Sequence, residues 1–215
     1  MSKIYVFDLD GTLVDSMPYF TAGMLSIADE AELSYGPELI KILTPLGCVK
    51  GAEYYVDTLG VKDSKENITK KLLSRLYTAY SEKIALKPGV LDYLTKLKVD
   101  GARLFVLTAG PHLLADACLK NNGIYGLFEA VWSVDDFGLS KSDIELFFRV
   151  ATAIGCNESE INYFDDSLIA LENAKKAGYK THGVYDAQSD EELERMKNEL
   201  SDVLVMSFKE LSDLN

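Results

Sequence analysis

The sequence predicts an α/β protein built on a doubly wound, mostly parallel sheet, into which an all-helical domain is inserted. Two observations indicate the sheet: short apolar runs typical of buried strands alternate with helical stretches, and several of these runs end in a polar residue. A third observation indicates the insertion, because no convincing strand pattern occurs between residues 16 and 86. We therefore expect a sheet domain formed by residues 1–15 and 87–215, and a helical domain formed by residues 16–86.

The strands of the sheet are expected where short apolar runs are bounded by polar or turn residues. They lie at 4–7, 103–107, 130–134, 161–164 and 180–185, with an edge strand at 203–206. Helices are expected at 90–98, 112–121, 142–154, 167–177 and 208–214, and on the surface at 189–200. Because strands alternate with helices, consecutive strands are expected to run parallel.

Four helices are expected in the inserted domain, at 20–28, 37–43, 52–59 and 65–84. Pro45 and Gly47 predict a break between the second and the third of these helices. We expect the segment 45–51 to be a loop that closes over a site, with Lys50 as its only charge and as a contact for an anionic substrate group. The alternative is an ordinary helix–helix turn with a solvated lysine.

Composition narrows the class of protein. The chain has 215 residues and a formal net charge of -12, which disfavours nucleic acid or an anionic membrane surface as the main partner. No apolar run approaches the roughly 20 residues of a membrane span, and no signal peptide is visible. The three cysteines, Cys48, Cys118 and Cys156, are far apart and odd in number, which fits a reducing compartment. We expect a cytoplasmic protein, monomeric or weakly dimeric, that binds a small molecule.

The first expected strand ends in two carboxylates. Asp8 and Asp10 follow the apolar run 4–7, and Gly11 then allows a sharp turn. In open α/β sheets the carboxyl end of a strand is where ligands bind. Two carboxylates repel each other unless they share a proton or a cation, and Mg2+ prefers such oxygen ligands. One carboxylate can then act as a nucleophile while the other moves a proton. The alternative is an acidic turn after a strand.

Other strands deliver further polar side chains to the same edge of the sheet. The second strand delivers Thr108, whose hydroxyl either holds a phosphate oxygen or caps a helix. The fourth strand delivers Asp165 and Asp166, of which one points toward the site and one can cap the next helix. Lys141 is expected at the start of the helix at 142–154. A cation is electrostatically unfavourable at a helix N-terminus, so a lysine at this position indicates a functional role.

These positions resemble the motifs of the haloacid dehalogenase superfamily. The run Asp8-Leu9-Asp10-Gly11-Thr12 resembles the first motif, Asp-x-Asp-Gly-Thr, and follows an apolar strand as in the family. Thr108 resembles the second motif, and Lys141 the third, although Ser142 stands where the family usually has proline. The four motifs occur in order, and the resemblance covers essentially the whole chain.

The fourth motif departs from the commonest family pattern. Asp165 replaces the usual glycine, Asp166 keeps the motif's acid, and Ala170 stands where many members have a further acid. This departure matches the branch with two adjacent acids, such as the beta-phosphoglucomutases. The inserted helices occupy the place of the small helical cap in the same branch, and Asp15-Ser16-Met17-Pro18 resembles the hinge of phosphoglycolate-phosphatase-like members.

The resemblance implies a Rossmann-like core and a Mg2+-dependent phosphatase that hydrolyses a small phosphorylated metabolite. Asp8 would form an aspartyl-phosphate, and Asp10 would act as the general acid and base. The metal would be held by Asp8, the backbone carbonyl of Asp10 and Asp166, with Asp165 as a second acidic ligand of the fourth motif. The residues that would contact the substrate are Thr108, Ala109, Lys141 and Lys50.

Three alternatives follow from the same motifs. A phosphomutase of the beta-phosphoglucomutase type shares the fold, but it carries a histidine where this chain has Phe20. A dehalogenase lacks an acid at the position of Asp10 and needs no metal. A catalytically silent interaction module would have lost at least one motif, and none is lost here.

Overall fold

The computed structural model of the chain describes residues 3–187 and 193–212. The chain divides into two compact units. The first consists of Met1–Asp15 and Ala85–Asn215, and the second of Ser16–Ile84. Among the described residues, no helix combines the length and the apolar character that crossing a membrane would require.

The first unit is built on a six-stranded parallel sheet with the strand order β3-β2-β1-β4-β5-β6. The strands are β1 (Ile4–Phe7), β2 (Arg103–Thr108), β3 (Ala130–Ser133), β4 (Ile161–Asp165), β5 (Lys180–Val184) and β6 (Val203–Val205). The predicted doubly wound sheet is therefore confirmed, and every described strand is parallel to its neighbours. The strand order reverses direction between β1 and β4, and such a switch point is where ligands bind in open α/β sheets.

The described helices of both units are short to medium in length. They are α1 (Met17–Glu30), α2 (Glu38–Asp57), α3 (Lys65–Glu82), α4 (Val90–Val99), α5 (His112–Asn121), α6 (Ile144–Ile154), α7 (Leu168–Lys176), α8 (Leu193–Arg195) and α9 (Phe208–Ser212). A π-helical turn, Met196–Leu200, continues α8.

The central strands bury both of their faces because their side chains alternate between two apolar layers. Val6 and Tyr163 face one layer, which contains the apolar residues of α6 and α7. Phe7 and Phe164 face the other layer, where their ring centroids lie 4.8 Å apart. Tyr93 of α4 packs against Phe164 in this second layer. The strand ends are thereby held at fixed positions along one edge of the sheet.

The second unit contains α1, α2 and α3 around an apolar core of its own. Tyr55 is fully buried in it and donates its hydroxyl hydrogen bond to the carbonyl of Met24 over 2.7 Å. Ser64 caps α3 by accepting a hydrogen bond from the amide of Asn67 over 3.1 Å. This satisfies one of the amides that a helix start leaves unpaired.

The predicted loop at 45–51 is wrong. The segment lies within α2, and only Gly47 departs from helical geometry there, with φ 62° and ψ −167°. Pro45 removes one helical hydrogen bond and Gly47 takes angles open almost only to glycine, so the two residues produce a kink rather than a loop. Gly51 is buried, and a Cβ atom there would lie 2.7 Å from the Met24 side chain. A side chain at position 51 would therefore require the end of the Met24 side chain to move.

Two expected boundaries near the site also shift. Helix α6 begins at Ile144, so Lys141 lies in the turn before the helix instead of opening it. Strand β3 ends at Ser133 because the Ser133 side chain caps a short 3-10 turn, Val134–Phe137. The surface helix expected at 189–200 is helical throughout its described residues, 193–200, although its residues Met196 and Leu200 are buried. The expected residues 189–192 and 213–214 lie outside the described part of the chain.

Candidate active site

Four of the predicted motifs meet at one edge of the sheet, at the switch point between β1 and β4. Asp8 directly follows β1, and its amide continues the ladder by donating to the carbonyl of Phe164 over 2.8 Å. Asp165 ends β4, which pairs with β1 in parallel. Parallel strands bring their carboxyl ends to the same edge, so carboxylates separated by about 160 residues of sequence become neighbours.

The turn after Asp8 is shaped by its glycine and threonine. The amides of Leu13 and Val14 both donate to the carbonyl of Leu9, over 2.9 and 3.1 Å, which closes the turn. Gly11 has φ 81°, and a Cβ atom there would collide with the carboxylate of Asp166. Any side chain at position 11 would therefore displace Asp166.

The side chain of Thr12, in the same turn, contacts Asp166, which directly follows the neighbouring strand β4. Its hydroxyl donates to Asp166 Oδ1 over 3.3 Å. Thr12 is fully buried, so its hydroxyl fixes the carboxylate from a protected position. Thr12 belongs to the first motif, but its partner across the sheet could not be predicted from the sequence.

Lys141 forms the charged centre of the site. Its ammonium group donates to Asp8 Oδ1 and, over 2.7 Å, to Asp165 Oδ2. Its backbone carbonyl accepts a hydrogen bond of 3.1 Å from the Asn173 side chain of α7, which anchors the turn that carries it. Burial alone would lower the pKa of Lys141, but the two carboxylates more than offset burial and raise it. The lysine is therefore positively charged.

Asp165 is fully engaged by groups of the protein. Its Oδ1 accepts from the amide of Ser167 over 2.8 Å, and its Oδ2 accepts from Lys141 and from the hydroxyl of Tyr163. Burial and then the charge of Asp165 raise the pKa of Tyr163 well above its usual value, so the phenol keeps its proton and donates it. Tyr163 was missed in the sequence analysis, although it lies two residues before Asp165 and hence on the same face of β4.

Three carboxylates converge beside this lysine. Oxygen atoms of Asp8, Asp165 and Asp166 all lie within 4.8 Å of one another. Burial, together with the charges of Asp165 and Asp10, raises the pKa of Asp8 to about 7 against the pull of Lys141. Burial, followed by the charges of Asp165 and Asp8, raises the pKa of Asp166 well above its usual value. A hard divalent cation relieves such repulsion, and the donor set consists only of oxygen, so these residues fit Mg2+.

Asp10 and Thr108 lie on the β2 side of the site. A Cβ atom on Gly110 would lie 3.5 Å from Asp10 Oδ2 and 3.4 Å from Thr108 Oγ1, so both side chains border the loop after β2. The Thr108 hydroxyl is buried and accepts a hydrogen bond from the amide of Gly110 over 2.9 Å. Ala109, which lies between Thr108 and Gly110 in the chain, is exposed.

The remaining predicted site residue, Lys50, belongs to the second unit. It is exposed on α2, five residues after Pro45 and three after Gly47. Its role toward a substrate stays a prediction.

Comparisons with known proteins identify the family and the fold of the chain. A model of the haloacid dehalogenase-like hydrolase family matches residues 5–184. A phosphorylated carbohydrates phosphatase of Thermotoga maritima is 25% identical over 86% of each chain. A phosphoglycolate phosphatase of Pseudomonas savastanoi is 25% identical over 83% of this chain and 67% of its own. The structure of CbbY from Rhodobacter sphaeroides in complex with xylulose-1,5-bisphosphate superimposes with a TM-score of 0.82, at 19% identity over 98% of this chain and 96% of that one.

Proposed function

Since the chain belongs to the haloacid dehalogenase-like hydrolase family and is a phosphoric monoester hydrolase, we propose that it hydrolyses a small phosphomonoester through an aspartyl-phosphate on Asp8. One observation carries the proposal. Asp8 is a buried carboxylate at the switch point of the sheet, held by Lys141 and next to two further carboxylates. A nucleophile, a cation and a place for a metal ion are thus within reach of one phosphoryl group.

In the first step, a carboxylate oxygen of Asp8 attacks phosphorus and the bond to the leaving oxygen breaks. Asp10 gives its proton to that oxygen, so the product leaves as a neutral alcohol. In the second step, Asp10 takes a proton from water, and the resulting hydroxide attacks the phosphorus of the aspartyl-phosphate. Inorganic phosphate leaves, and both carboxyl groups return to their starting states.

Lys141 and Thr108 stabilise the phosphoryl group during both steps. Lys141 carries a fixed positive charge beside Asp8, and the hydroxyl of Thr108 can donate to an equatorial phosphoryl oxygen. The amide of Ala109, in the loop after β2, is a further donor in this proposal. Such preorganised donors act where negative charge is transferred.

Haloacid dehalogenase-like proteins generally use Mg2+, and we propose the same ion here. When bound, it would neutralise the carboxylates and polarise the phosphoryl oxygens. We assign it to Asp8, the backbone carbonyl of Asp10, and Asp166. Asp165 is a weaker candidate because both of its oxygens already accept hydrogen bonds from the protein.

We further propose that the second unit acts as a cap that selects the substrate, with Lys50 as a contact for a distal anionic group. The relatives are named for different substrates, phosphorylated carbohydrates in one case and phosphoglycolate in another. The substrate class proposed for this chain is therefore a small phosphorylated metabolite. We propose a cytoplasmic enzyme that is monomeric or weakly dimeric.

The test is a panel of phosphorylated metabolites incubated with the enzyme and Mg2+, with release of inorganic phosphate as the readout. Asp8→Asn serves as the control, because an amide has nearly the same shape but is a poor nucleophile. We expect phosphate release that both chelation of the metal and this substitution abolish. Release by Asp8→Asn at the wild-type rate would contradict the role of Asp8. A sugar phosphate that is isomerised without release would indicate a mutase instead.

A further inference from the structure

A second buried ion pair lies at the same edge of the sheet as the candidate active site. Lys87 Nζ is 2.9 Å from Asp186 Oδ2 and donates to the backbone carbonyl of Tyr185 over 2.9 Å. The two side chains are only 15% and 7% exposed. Little water screens a pair of this kind, so either charge acts strongly on its surroundings if the other is removed.

The sheet brings Asp186 to the same edge as Asp166. Strand β5 runs parallel to β4, with Asp165 opposite Gly183, so Asp166 and Asp186 both follow the carboxyl ends of neighbouring strands. Asp186 is therefore a further buried carboxylate at the edge where the three carboxylates converge.

Lys87 is held in place by the chain on the other side of the site. Its amide donates to the carbonyl of Leu13 over 2.9 Å, and Leu86 forms an antiparallel bridge with Val14. Leu13 and Val14 belong to the turn that follows Asp10. The lysine is thus tied to the first motif through its backbone and to the end of β5 through its side chain.

The charges around the three carboxylates explain why Asp186 needs a partner. One lysine, Lys141, and three carboxylates leave two negative charges, which one divalent cation balances. A further carboxylate at this edge, if it were unpaired, would leave the loaded site with a net negative charge. Such a charge would also repel a phosphate substrate.

We propose that Lys87 is a positioning residue that neutralises the Asp186 carboxylate and thereby sets the affinity of the Asp8 and Asp166 site for Mg2+. The inference rests on the proposed function, because it takes the metal to bind at those two carboxylates. It assigns to Lys87 and Asp186 a role that none of the four motifs includes.

The test is the binding of Mg2+ alone, measured by titration calorimetry on the free enzyme. We expect Lys87→Gln to bind the ion more tightly and Asp186→Asn to bind it more weakly, each on the order of threefold, because each substitution changes the local charge by one unit in opposite directions. The double variant restores the balance and should bind as the wild type does. A purely structural pair would instead weaken binding in both single variants.

A matched control lies at the opposite edge of the sheet. Arg103 and Glu129 form an ion pair of 2.8 Å at the amino end of β2, so Arg103→Gln and Glu129→Gln change the net charge equally but far along the strands from the site. We expect these two variants to bind Mg2+ as the wild type does. Denaturant unfolding with a chelator present shows which variants are folded.

The outcomes separate the two proposals. If the wild type does not bind Mg2+, the metal assignment under the proposed function fails. If the wild type binds and the two single variants shift in the same direction, or not at all, the role of Lys87 fails while the metal assignment stands. Should Lys87→Gln not fold, Asp186→Asn decides alone, because unchanged or tighter binding by that folded variant overturns the inference.

Discussion

At the scale of single residues, the site separates two adjacent aspartates that look equivalent in the sequence. Asp165 accepts hydrogen bonds from Lys141, Tyr163 and the Ser167 amide, whereas the hydrogen bond described for Asp166 comes from the Thr12 hydroxyl. A carboxylate whose oxygens are bonded by protein donors orients those donors. One that faces neighbouring carboxylates repels them unless a cation lies between. We therefore expect different roles for the two side chains: Asp165 orients its hydrogen-bond donors, and Asp166 binds the cation.

Substitution of each of these aspartates by alanine should expose this difference. We expect Asp166→Ala to raise the Mg2+ concentration needed for half-maximal activity by at least about tenfold, a loss seen even for groups one step removed from a metal. Asp165→Ala should chiefly lower turnover at saturating Mg2+, because it removes one of the two carboxylates that hold Lys141. Magnesium-dependence curves of both variants check this. A larger shift for Asp165→Ala would show that the two roles are reversed.

Asp10 offers a second prediction at this scale, based on the leaving group. Asp10→Asn cannot donate the proton, so hydrolysis of an alkyl phosphate should fall by about 100-fold or more. An activated aryl phosphate leaves without a proton, and its first step should be much less affected. Release of the alcohol or phenol in the first turnover provides the measurement, because the second step also needs Asp10, and Asp8→Asn is the variant that should lose release from both substrates. If Asp10→Asn released the alcohol from the alkyl phosphate at the wild-type rate, Asp10 would be excluded as the general acid.

At the scale of elements, the kink in α2 shows how the same residues can end a helix or only bend it. Gly47 combines φ 62° with ψ −167°, and helical geometry resumes on its far side. Proline and glycine signal a disturbance in the helix but do not indicate its length. Packing supports the helix on both sides of the kink, because Leu43 before it and Tyr55 after it are both buried in the core of the second unit.

Gly47→Ala should therefore destabilise the protein through its backbone alone. A Cβ atom at position 47 meets nothing within 4 Å, so no collision contributes. The angles of Gly47 are open almost only to glycine, and we expect a loss of about 1–3 kcal/mol in the free energy of unfolding. Gly36→Ala is the control, because a Cβ atom there also meets nothing within 4 Å and its φ is not positive. Urea unfolding gives the free energy of unfolding of both variants. If Gly47→Ala were as stable as Gly36→Ala, the backbone at position 47 would not require glycine.

The sequence predicted the elements whose signal is local and missed the features that depend on distant contacts. Asp8 and Thr108 were placed at strand ends because an apolar run and its last polar residue lie side by side in the chain. Lys141 was identified by its resemblance to the third motif, yet its place in a turn before α6 was not predicted. The bond from Tyr163 to Asp165 and the pair of Lys87 with Asp186 depend on side-chain directions and on sheet order, which no local pattern contains.

At the scale of the whole molecule, the chain carries a formal net charge of -12 and yet buries several ionisable groups in its sheet unit. His182 on β5 is partly buried and lies outside the proposed catalytic chemistry. Its ring stacks on Phe164 with centroids 4.2 Å apart, and its Nε2 lies 3.2 Å from Asn162 Oδ1. Burial, helped by the charge of Lys180 and opposed by Asp202, lowers the pKa of His182 to about 4.

This histidine predicts a dependence of stability on pH. Between pH 6.5 and about pH 4 the unfolded chain binds a proton that the folded chain does not, so stability is complete above pH 6.5 and falls as the pH drops through this window. The contribution is on the order of 2 kcal/mol. The chain has two histidines, so NMR titration with His112→Gln for assignment measures His182 directly. A midpoint near 6.5 for His182 would contradict the prediction.

The central position of β1 also determines when the site can form during synthesis on the ribosome. Ile4 is translated well before Arg103 and Ile161, its neighbours in the sheet. The second unit, Ser16–Ile84, packs on its own core and is complete in the nascent chain long before β4 is translated. The proposed nucleophile, Asp8, is therefore made before the helical unit and receives its partners only after it, so a nascent chain that stops short of β4 has a finished helical unit but lacks the candidate site.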